Sequence, residues 1–461
     1  MAPVIVEAPA LYPPTVVAAN RPLGLLSFLA TFVVNPIRTL PRRVFEEPFA
    51  IVQRGSRTIV WIADPALIER VLLKEADAFP KAPVEKRVFG SVLGDGILTA
   101  EGPHWRWQRK AAAPAFRHSE LLASIPDMTV AAEAQVARWQ ARPLSSIAAI
   151  DADMMTTTFD VIARTVLGGC AAEDADTIKR AGAAFLEPIS WEVGFAVLGI
   201  PEWLWHPGKR PTRKAAAVSR AAVTRLVRAR KADRALYNDL LAKLIAARHP
   251  ETGEAMNESQ LVDNLSTFLM AGHETTAKAL TWALYLLARA QQWQDRVRAE
   301  VTAVAGDRLI AADDLARLPV TQMVIKETMR LYPPAPILSR MPTDWVEIGI
   351  HKIAPRSMIV IPIYAVHRHK RLWADPDKFD PERFLPAQEA KFARTQFMPF
   401  GYGPRTCIGA SFAMMEATAQ LATFVRTAHF DWDGRHCPEP VSRVTLRPKG
   451  GMPLKVTMLG R

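Results

Sequence analysis

The sequence predicts a mainly α-helical protein with a small β-rich part. Apolar residues recur at helical spacing from about Glu258 to Ala290, and another helical stretch follows Cys407. A third stretch, 209–234, alternates basic residues with Ala and Val at the same spacing. Near the C-terminus, two short runs at 444–447 and 454–458 flank a pair of glycines and indicate a β-hairpin.

Composition narrows the class of protein. The 461 residues are 49% apolar, enough for a large core, and contain no repeat, low-complexity tract or linker that would divide them. Three cysteines are too sparse a set for a disulfide framework and suit a reducing cytoplasm. The net charge is +12, and basic residues are densest in 209–234 without aromatic interleaving. We therefore expect a solvated helix face there and no nucleic-acid partner.

The N-terminal segment does not have the composition of a signal peptide or an anchor. Its first basic residue is Arg21, and its strongest apolar run, 23–34, is interrupted by Ser27 and Thr31. A bilayer span needs roughly 20 apolar residues. The prediction is a soluble, cytoplasmic protein without a transmembrane anchor, with loose membrane contact by 23–34 as the alternative.

One short motif surrounds Cys407. In the run from Phe400 to Gly409, F-G-Y-G-P-R-T-C-I-G, the glycines allow a tight turn and a close approach to something large and flat. A helix N-terminus follows, where free amides and the helix dipole favour a thiolate over a thiol. A buried structural cysteine is the alternative for a lone Gly-x-x-x-Cys, but the full pattern is more specific.

The pattern F-x-x-G-x-R-x-C-x-G matches the haem-binding signature of cytochromes P450 at every fixed position, and the chain resembles that superfamily, in the style of its soluble bacterial members. The resemblance implies the P450 fold as a single domain over 1–461, with 1–20 extended. It also implies haem b as cofactor and Cys407 as the axial ligand of its iron. Phe400 would shield the sulfur, and the Gly409 amide would tune its basicity.

A second P450-like motif lies inside the longest helical stretch. Residues 271–275, A-G-H-E-T, match A-G-x-(D/E)-T, although Gly costs about 1 kcal/mol in a helix interior and Thr is a poor helix former. The Thr275 hydroxyl can bond back to the carbonyl four residues earlier and open a groove for oxygen. By resemblance, Thr275 hydrogen-bonds to oxygen during its activation, Glu274 supplies protons through water, and Ala271 contacts the haem. His273 is expected to be packed or solvated.

Cationic side chains are predicted to bind the haem propionates. Trp105 and Arg109 share one helix face at i, i+4, where an indole N–H and a guanidinium can together bind a carboxylate. The resemblance assigns these two to one propionate and adds Arg340 and Arg405 from other segments. A surface position is the alternative for each arginine.

Three further residues match a structural network of the family. Glu327 and Arg330 form an E-x-x-R pair just ahead of two prolines that stop the helix, and Arg383 lies in D-P-E-R-F. An exposed helix pair is the alternative for E-x-x-R alone. The resemblance implies a buried network that fixes the cysteine loop.

Together the motifs predict a haem-thiolate monooxygenase that inserts one atom of O2 into a lipophilic small molecule. No flavin, nicotinamide or iron–sulfur motif is present, so we expect electrons from a separate ferredoxin or flavodoxin, docking near Arg106 and Lys110. The alternatives are a peroxygenase using hydrogen peroxide, an isomerase or dehydratase, and a haem-thiolate gas sensor. The Glu274-Thr275 pair argues against all of them.

The substrate pocket is expected to be mainly apolar. By family position its walls, besides Ala271, are Val88, Phe89, Leu93, Phe185, Ala335, Ile337 and Met452. Ordinary core packing is the alternative, above all for Phe185 and Leu93.

Overall fold

The structure is a computed structural model that describes residues 10–19, 23–54, 57–168, 172–233 and 237–460. Of the N-terminal segment expected to be extended, 10–18 form neither helix nor strand, and Ala19 forms a single β-bridge with Pro41. The remainder of 1–20 lies outside the described residues.

Helices make up most of the described chain, as predicted. The α-helices are α1 Leu25–Val34, α2 Pro65–Glu69, α3 Pro83–Leu93, α4 Gly102–Ala112, α5 His118–Ala123, α6 Ile125–Gln140, α7 Ile150–Leu167, α8 Ala172–Leu186, α9 Ile189–Leu198, α10 Lys209–Ala232, α11 Leu240–Ala246, α12 Glu258–Arg289, α13 Gln291–Ala305, α14 Pro319–Leu331, α15 Ile363–Val366, α16 Pro386–Glu389 and α17 Ala410–Thr427. The strands are β1 Phe49–Arg54, β2 Arg57–Ile62, β3 Ser145–Ala149, β4 Leu338–Arg340, β5 Val346–Ile348, β6 His351–Ile353, β7 Met358–Ile361, β8 Ala428–Asp431, β9 Pro440–Arg443, β10 Thr445–Pro448 and β11 Pro453–Met458.

Helix α12 forms the centre of the core. Asn257 and Gln260 cap its N-terminus, each side chain accepting a hydrogen bond from the other's amide at 2.9 Å. Most of its side chains are buried around the whole circumference, as expected for a helix enclosed by others. Gly272 allows α12 to approach α7 closely, because a Cβ there would lie 2.7 Å from the Ile162 Cδ1 atom.

The strands form four small sheets. One has the order β1-β2-β7-β4, with β2 and β7 parallel and the other pairs antiparallel. A second has the order β3-β11-β8, and β5-β6 and β9-β10 are two-stranded. The small β-rich part is therefore present.

The predicted hairpin between 444–447 and 454–458 is wrong. Strand β10 pairs with β9, and β11 pairs with β3 and β8 instead. Gly450 and Gly451, at φ 80° and 83°, separate the two strands. Every second residue of β11 is buried, namely Leu454, Val456 and Met458, and the strands that pair with β11 are distant in sequence.

Among the described residues, one pair of helices joined at a bend has the length and composition of a membrane span. No single helix there has the length and apolar content needed to cross a bilayer. Together, Glu173–Leu186 and Ile189–Leu198, bent by 43°, meet the criteria of length and composition.

Candidate active site

A tight loop presents Cys407 ahead of α17. Gly403, at φ 75°, begins a single 3-10 turn, and a Cβ there would overlap the carbonyl of Leu72. Only glycine permits this conformation at such close approach. The Cys407 amide donates to the carbonyl of Phe400 at 2.9 Å and closes the loop before α17 begins.

The Cys407 side chain is exposed, yet burial raises the pKa of its thiol. The sulfur therefore lies deep in the protein and is open to an internal space. A hydrogen bond from the Gly409 amide and the charge of Arg109 lower that pKa, but by less than burial raises it. The Gly409 amide therefore favours the thiolate in the predicted direction, but burial outweighs it. A bound metal ion would supply the missing stabilisation, because it deprotonates a coordinating thiol.

The motif at 271–275 presents an open surface of α12. Ala271 is exposed and Thr275 is partly exposed, whereas the flanking turns are buried. The Thr275 hydroxyl donates to the Ala271 carbonyl at 2.9 Å, as the sequence predicted. Phe116 connects this segment to the cysteine loop, because its ring stacks on Phe268 and lies 3.7 Å from a Cβ built on Gly409.

Glu274 is a buried carboxylate with a partner that the sequence did not reveal. The hydroxyl of Thr445, on β10, donates to Glu274 at 2.6 Å. Lys278, one helical turn further along α12, is also buried, and the charge of Glu274 partly offsets the burial that lowers its pKa. His273 is packed, with Nδ1 2.6 Å from the Leu269 carbonyl oxygen.

A second buried acid, Glu416 on α17, was also missed. The amide of Gln420 donates to its Oε1 atom at 3.1 Å, and its Oε2 atom is buried without a hydrogen-bond partner among the described residues. Burial raises the pKa of Glu416 to about 8. The sequence does contain a signal that could have identified Glu416, because it is the single acidic residue among the mainly small and apolar residues of 410–427.

Trp105, Arg109 and Arg405 lie together. The guanidinium carbon of Arg405 is 3.8 Å from the centroid of the Trp105 ring, and that of Arg109 is 5.9 Å away. Arg405 also pairs with Glu101 at 2.5 Å and donates to the Ala100 carbonyl at 2.8 Å. The carboxylate of Glu101 was not predicted, and it would compete with a ligand for Arg405.

The E-x-x-R pair is completely buried and is joined to the third predicted member. Arg330 binds Glu327 through two hydrogen bonds of 2.6 and 2.8 Å, and Arg383 lies 3.7 Å from the same carboxylate. The remaining Arg330 donors reach the carbonyls of His367, Pro376 and Lys378. The surface-pair alternative is therefore excluded, because Glu327 and Arg330 are fully buried and bind each other through two hydrogen bonds.

The expected pocket walls divide into two groups. Phe89, Ala335 and Ile337 are partly exposed. The other four are correctly described as core residues, because their exposure is 2% or less: Val88, Leu93, Phe185 and Met452. Their low exposure favours the core-packing alternative, although Val88 also lines a groove beside α3.

The fold and this site together define a haem-thiolate protein, and comparison with known proteins identifies the family. The cytochrome P450 family profile matches residues 33–454. Cyclooctatin synthase of Streptomyces melanosporofaciens is 32% identical over 402 residues, covering 87% of this chain and 85% of its own. Cytokinin hydroxylase of Arabidopsis thaliana is 30% identical over 419 residues, covering 87% and 81%.

A solved structure supports the same fold. The crystal structure of the cytochrome P450DA heme domain superposes with a TM-score of 0.84 at 23% identity, covering 97% of this chain and 99% of that one. The chain belongs to the cytochrome P450 family. It is a haem-thiolate monooxygenase, and its cofactor contains haem iron.

The residues present fit that cofactor. Arg340 is 6% exposed, donates to the Ser339 carbonyl at 2.7 Å, and forms no ion pair with any described residue. Arg109 is partly buried and likewise has no ion pair within the described ranges, and burial lowers the pKa of both arginines. Unpaired cations in such positions are costly, so an anionic ligand beside them would be stabilised. Haem propionates would supply such anions, and Cys407 would supply the thiolate.

Proposed function

We propose that the monooxygenase acts on a lipophilic small molecule and receives electrons from a separate ferredoxin or flavodoxin. The observation that carries this proposal is that the open surface of Ala271 and Thr275 and the accessible Cys407 belong to segments joined by Phe116. The partly exposed side chains of Phe89 and Ile337 are apolar, as in most small-molecule pockets.

The bound cofactor is proposed to be haem b, which supplies the redox chemistry that activates O2. Cys407 would be its iron ligand, with Phe400 beside the sulfur and the Gly409 amide as hydrogen-bond donor. Trp105, Arg109, Arg340 and Arg405 would hold its propionates, and Ala271 would pack on its face. Arg405 would exchange its bond to Glu101 for a bond to the propionate.

Two residues of α12 are proposed to take part in proton transfer. The Thr275 hydroxyl is accessible and would donate a hydrogen bond to oxygen in place of its bond to the Ala271 carbonyl. Glu274, held by Thr445, would pass protons to this hydroxyl through water. Glu327, Arg330 and Arg383 would keep the cysteine loop in position without contacting substrate.

The redox partner is proposed to be acidic and to dock near the exposed side chains of Arg106 and Lys110. Arg106 at present pairs with the exposed Asp77 at 3.1 Å, a weak surface pair that a partner's carboxylate could replace. Charge reversal at both positions should lower the rate of electron transfer and its salt dependence. An unchanged rate and salt dependence would remove this surface from the proposal.

We further propose that residues 1–461 form one domain and that the protein is cytoplasmic. The described free thiols, Cys407 and Cys437, suit a reducing compartment. The P450 match covers most of the chain without a break that would suggest a second unit.

An optical titration of the ferric protein tests the substrate class. Fatty acids, terpenoids, steroids and aromatics would be added in turn, and a true substrate should shift the haem from low spin to high spin. A shift confined to lipophilic compounds, with turnover only when a ferredoxin or flavodoxin supplies electrons, is the expected result. Turnover with hydrogen peroxide alone would favour a peroxygenase, and ligand binding without turnover would favour a sensor.

A further inference from the structure

A threonine of α7 bonds to the backbone of α12 beside the residues proposed to transfer protons. Thr158 is completely buried, and its hydroxyl lies 2.9 Å from the carbonyl oxygen of His273. That carbonyl belongs to the peptide bond that joins His273 to Glu274. The same hydroxyl lies 2.9 Å from the Met154 carbonyl oxygen, so its single hydrogen is shared between two acceptors. Thr158 therefore connects the backbones of two helices.

Neighbouring residues of α7 pack closely on the same segment of α12. The Phe159 ring meets the His273 ring edge to face, with centroids 5.3 Å apart. Ile162 lies so close to Gly272 that a Cβ there would be 2.7 Å from its Cδ1 atom. Phe159, Ile162 and His273 are all buried. Because close-packed interiors leave little free space, α12 is held firmly against α7 at this point.

Side-chain hydrogen bonds are concentrated on the carbonyls of this segment. Three of the carbonyls accept from the side chain four residues further along α12: Leu269 from His273 at 2.6 Å, Ala271 from Thr275 at 2.9 Å, and Gly272 from Thr276 at 3.4 Å. An additional bond of this kind competes with the helix ladder and bends it. The next carbonyl, that of His273, accepts its additional bond from α7, so the packing of the two helices determines the backbone position there.

The peptide unit held by Thr158 precedes both proposed proton-transfer residues. Glu274 follows the bonded carbonyl directly, is buried, and binds the Thr445 hydroxyl at 2.6 Å. Thr275 comes next and is partly exposed on the open side of α12. Successive side chains of a helix point about 100° apart, so a rotation of this peptide redirects both. Proton transfer needs heavy-atom distances of roughly 2.6–3.2 Å, which even a small displacement would exceed.

We propose that Thr158 is a positioning residue for the Glu274–Thr275 pair. Its bond to the His273 carbonyl fixes the backbone of α12 at the point from which the acid and the alcohol extend. Thr158 is completely buried, so it acts through this backbone and not on the substrate. The inference rests on the proposed function of the pair, whereas the hydrogen bond between the two helices does not.

Thr157 provides a matched control on the same helix. It is also completely buried, and its hydroxyl donates to the Asp153 carbonyl, four residues earlier, at 2.9 Å. Within the described part of the chain, this hydroxyl has no hydrogen bond to α12. Thr157→Val and Thr158→Val therefore both remove a hydroxyl that bonds back within α7. Only Thr158→Val also removes a bond to α12.

The C–O stretching frequency of the reduced carbon monoxide complex tests the proposal without substrate or redox partner. This frequency responds to polar groups beside the bound ligand, and the Thr275 hydroxyl is proposed to be such a group. Thr158→Val should shift the frequency. Thr158→Ala should shift it too, because it removes the hydroxyl without placing a methyl group against the carbonyl. Thr157→Val and Thr158→Ser, which keeps the hydroxyl, should match the wild type.

Product formed per electron donor consumed gives a second readout. Thr158→Val should lower this ratio by about two- to tenfold, the range expected for the loss of one neutral hydrogen bond, and Thr158→Ser should restore it. Haem retention and denaturant unfolding verify that each variant folds. Agreement of Thr158→Val with Thr157→Val in both readouts would overturn the proposal. A wild type that forms no product would refute the proposed function instead, and the C–O frequencies would still decide the role of Thr158.

Discussion

The Thr275 hydroxyl forms one hydrogen bond in the structure and is proposed to form another during catalysis. It bonds to the Ala271 carbonyl, and its side chain is accessible from the open side of α12. Because the helix ladder is intact around it, loss of the hydroxyl should leave the fold unchanged.

Thr275→Ala should therefore bind haem normally but divert reducing equivalents to peroxide and water. Product formed per electron donor consumed, measured beside peroxide release, checks this expectation. Thr281→Ala is a matched control, since its hydroxyl also bonds back to the carbonyl four residues earlier but is wholly buried. Full coupling in Thr275→Ala would show that the proton assignment is wrong.

Glu416 makes stability depend on pH. Its pKa is about 8 in the folded protein against an ordinary value of 4.5, so the folded state keeps a proton that the unfolded chain releases. Stability therefore falls as pH rises from the lower value to the higher one.

Glu416→Gln keeps the hydrogen-bonding shape and does not titrate. It should flatten the pH profile and raise the free energy of unfolding by up to about 3 kcal/mol at pH 7. Denaturant unfolding across this pH range measures both effects. Identical profiles for wild type and variant would mean that Glu416 is already ionised in the folded state.

At the scale of single residues, the sequence predicted what lies at fixed offsets along the chain. Cys407, Thr275 and the Glu327–Arg330 pair belong to short motifs, and the geometry of a loop or helix determines their placement. The Thr445 hydroxyl reaches Glu274 across 171 positions, and no local pattern encodes that contact. The burial that raises the pKa of Cys407 likewise comes from distant segments, whereas the Gly409 amide that lowers it lies within the motif.

The cysteine loop is the element most sensitive to backbone change. Gly403→Ala would force both a strained φ and a clash with the backbone of Leu72. Gly450→Ala introduces a comparable φ at a turn with open space around it, so it serves as the control. Haem retention on gel filtration should be lost in the first variant and kept in the second. Normal retention in Gly403→Ala would show that the loop tolerates a different backbone.

The buried pair on α14 should be far stronger than a surface pair. Glu327→Gln leaves Arg330 partly uncompensated inside the protein and should cost about 3–5 kcal/mol of stability. Glu382→Gln removes an exposed pair with Arg296 and should cost less than about 1 kcal/mol. Chemical denaturation of the two variants gives both values. A similar small loss in each would contradict the structural role of the network.

At the scale of elements, helices were predicted more reliably than strand pairing. The limits of α12 agree with its apolar periodicity, because a helix makes its backbone bonds within itself. Strand β11 instead pairs with β3, about 300 positions earlier, so its partner could not be found from neighbouring residues. Family position alone likewise does not show that Phe185 and Met452 are buried in the core.

Across the whole molecule, the basic residues that give the net charge of +12 form groups with different surroundings. Arg340 is buried and Arg109 is partly buried beside the site proposed to hold two propionates. Arg106 and Lys110 are exposed on α4, the helix that also carries Arg109, and a further group of exposed cations lies at the start of α10. Composition alone could not separate these groups, because each is distinguished by what surrounds it in the fold.

The absorption spectrum of the reduced carbon monoxide complex tests whether Cys407 is the thiolate ligand of the haem iron. We predict the red-shifted band of a thiolate-ligated haem in the wild type, because the thiolate donates electron density to the iron. Cys407→Ser should lose this band, whereas Cys437→Ser, at the other described free thiol, should keep it. A spectrum without the thiolate band in the wild type, or with the band retained in Cys407→Ser, would contradict the assignment.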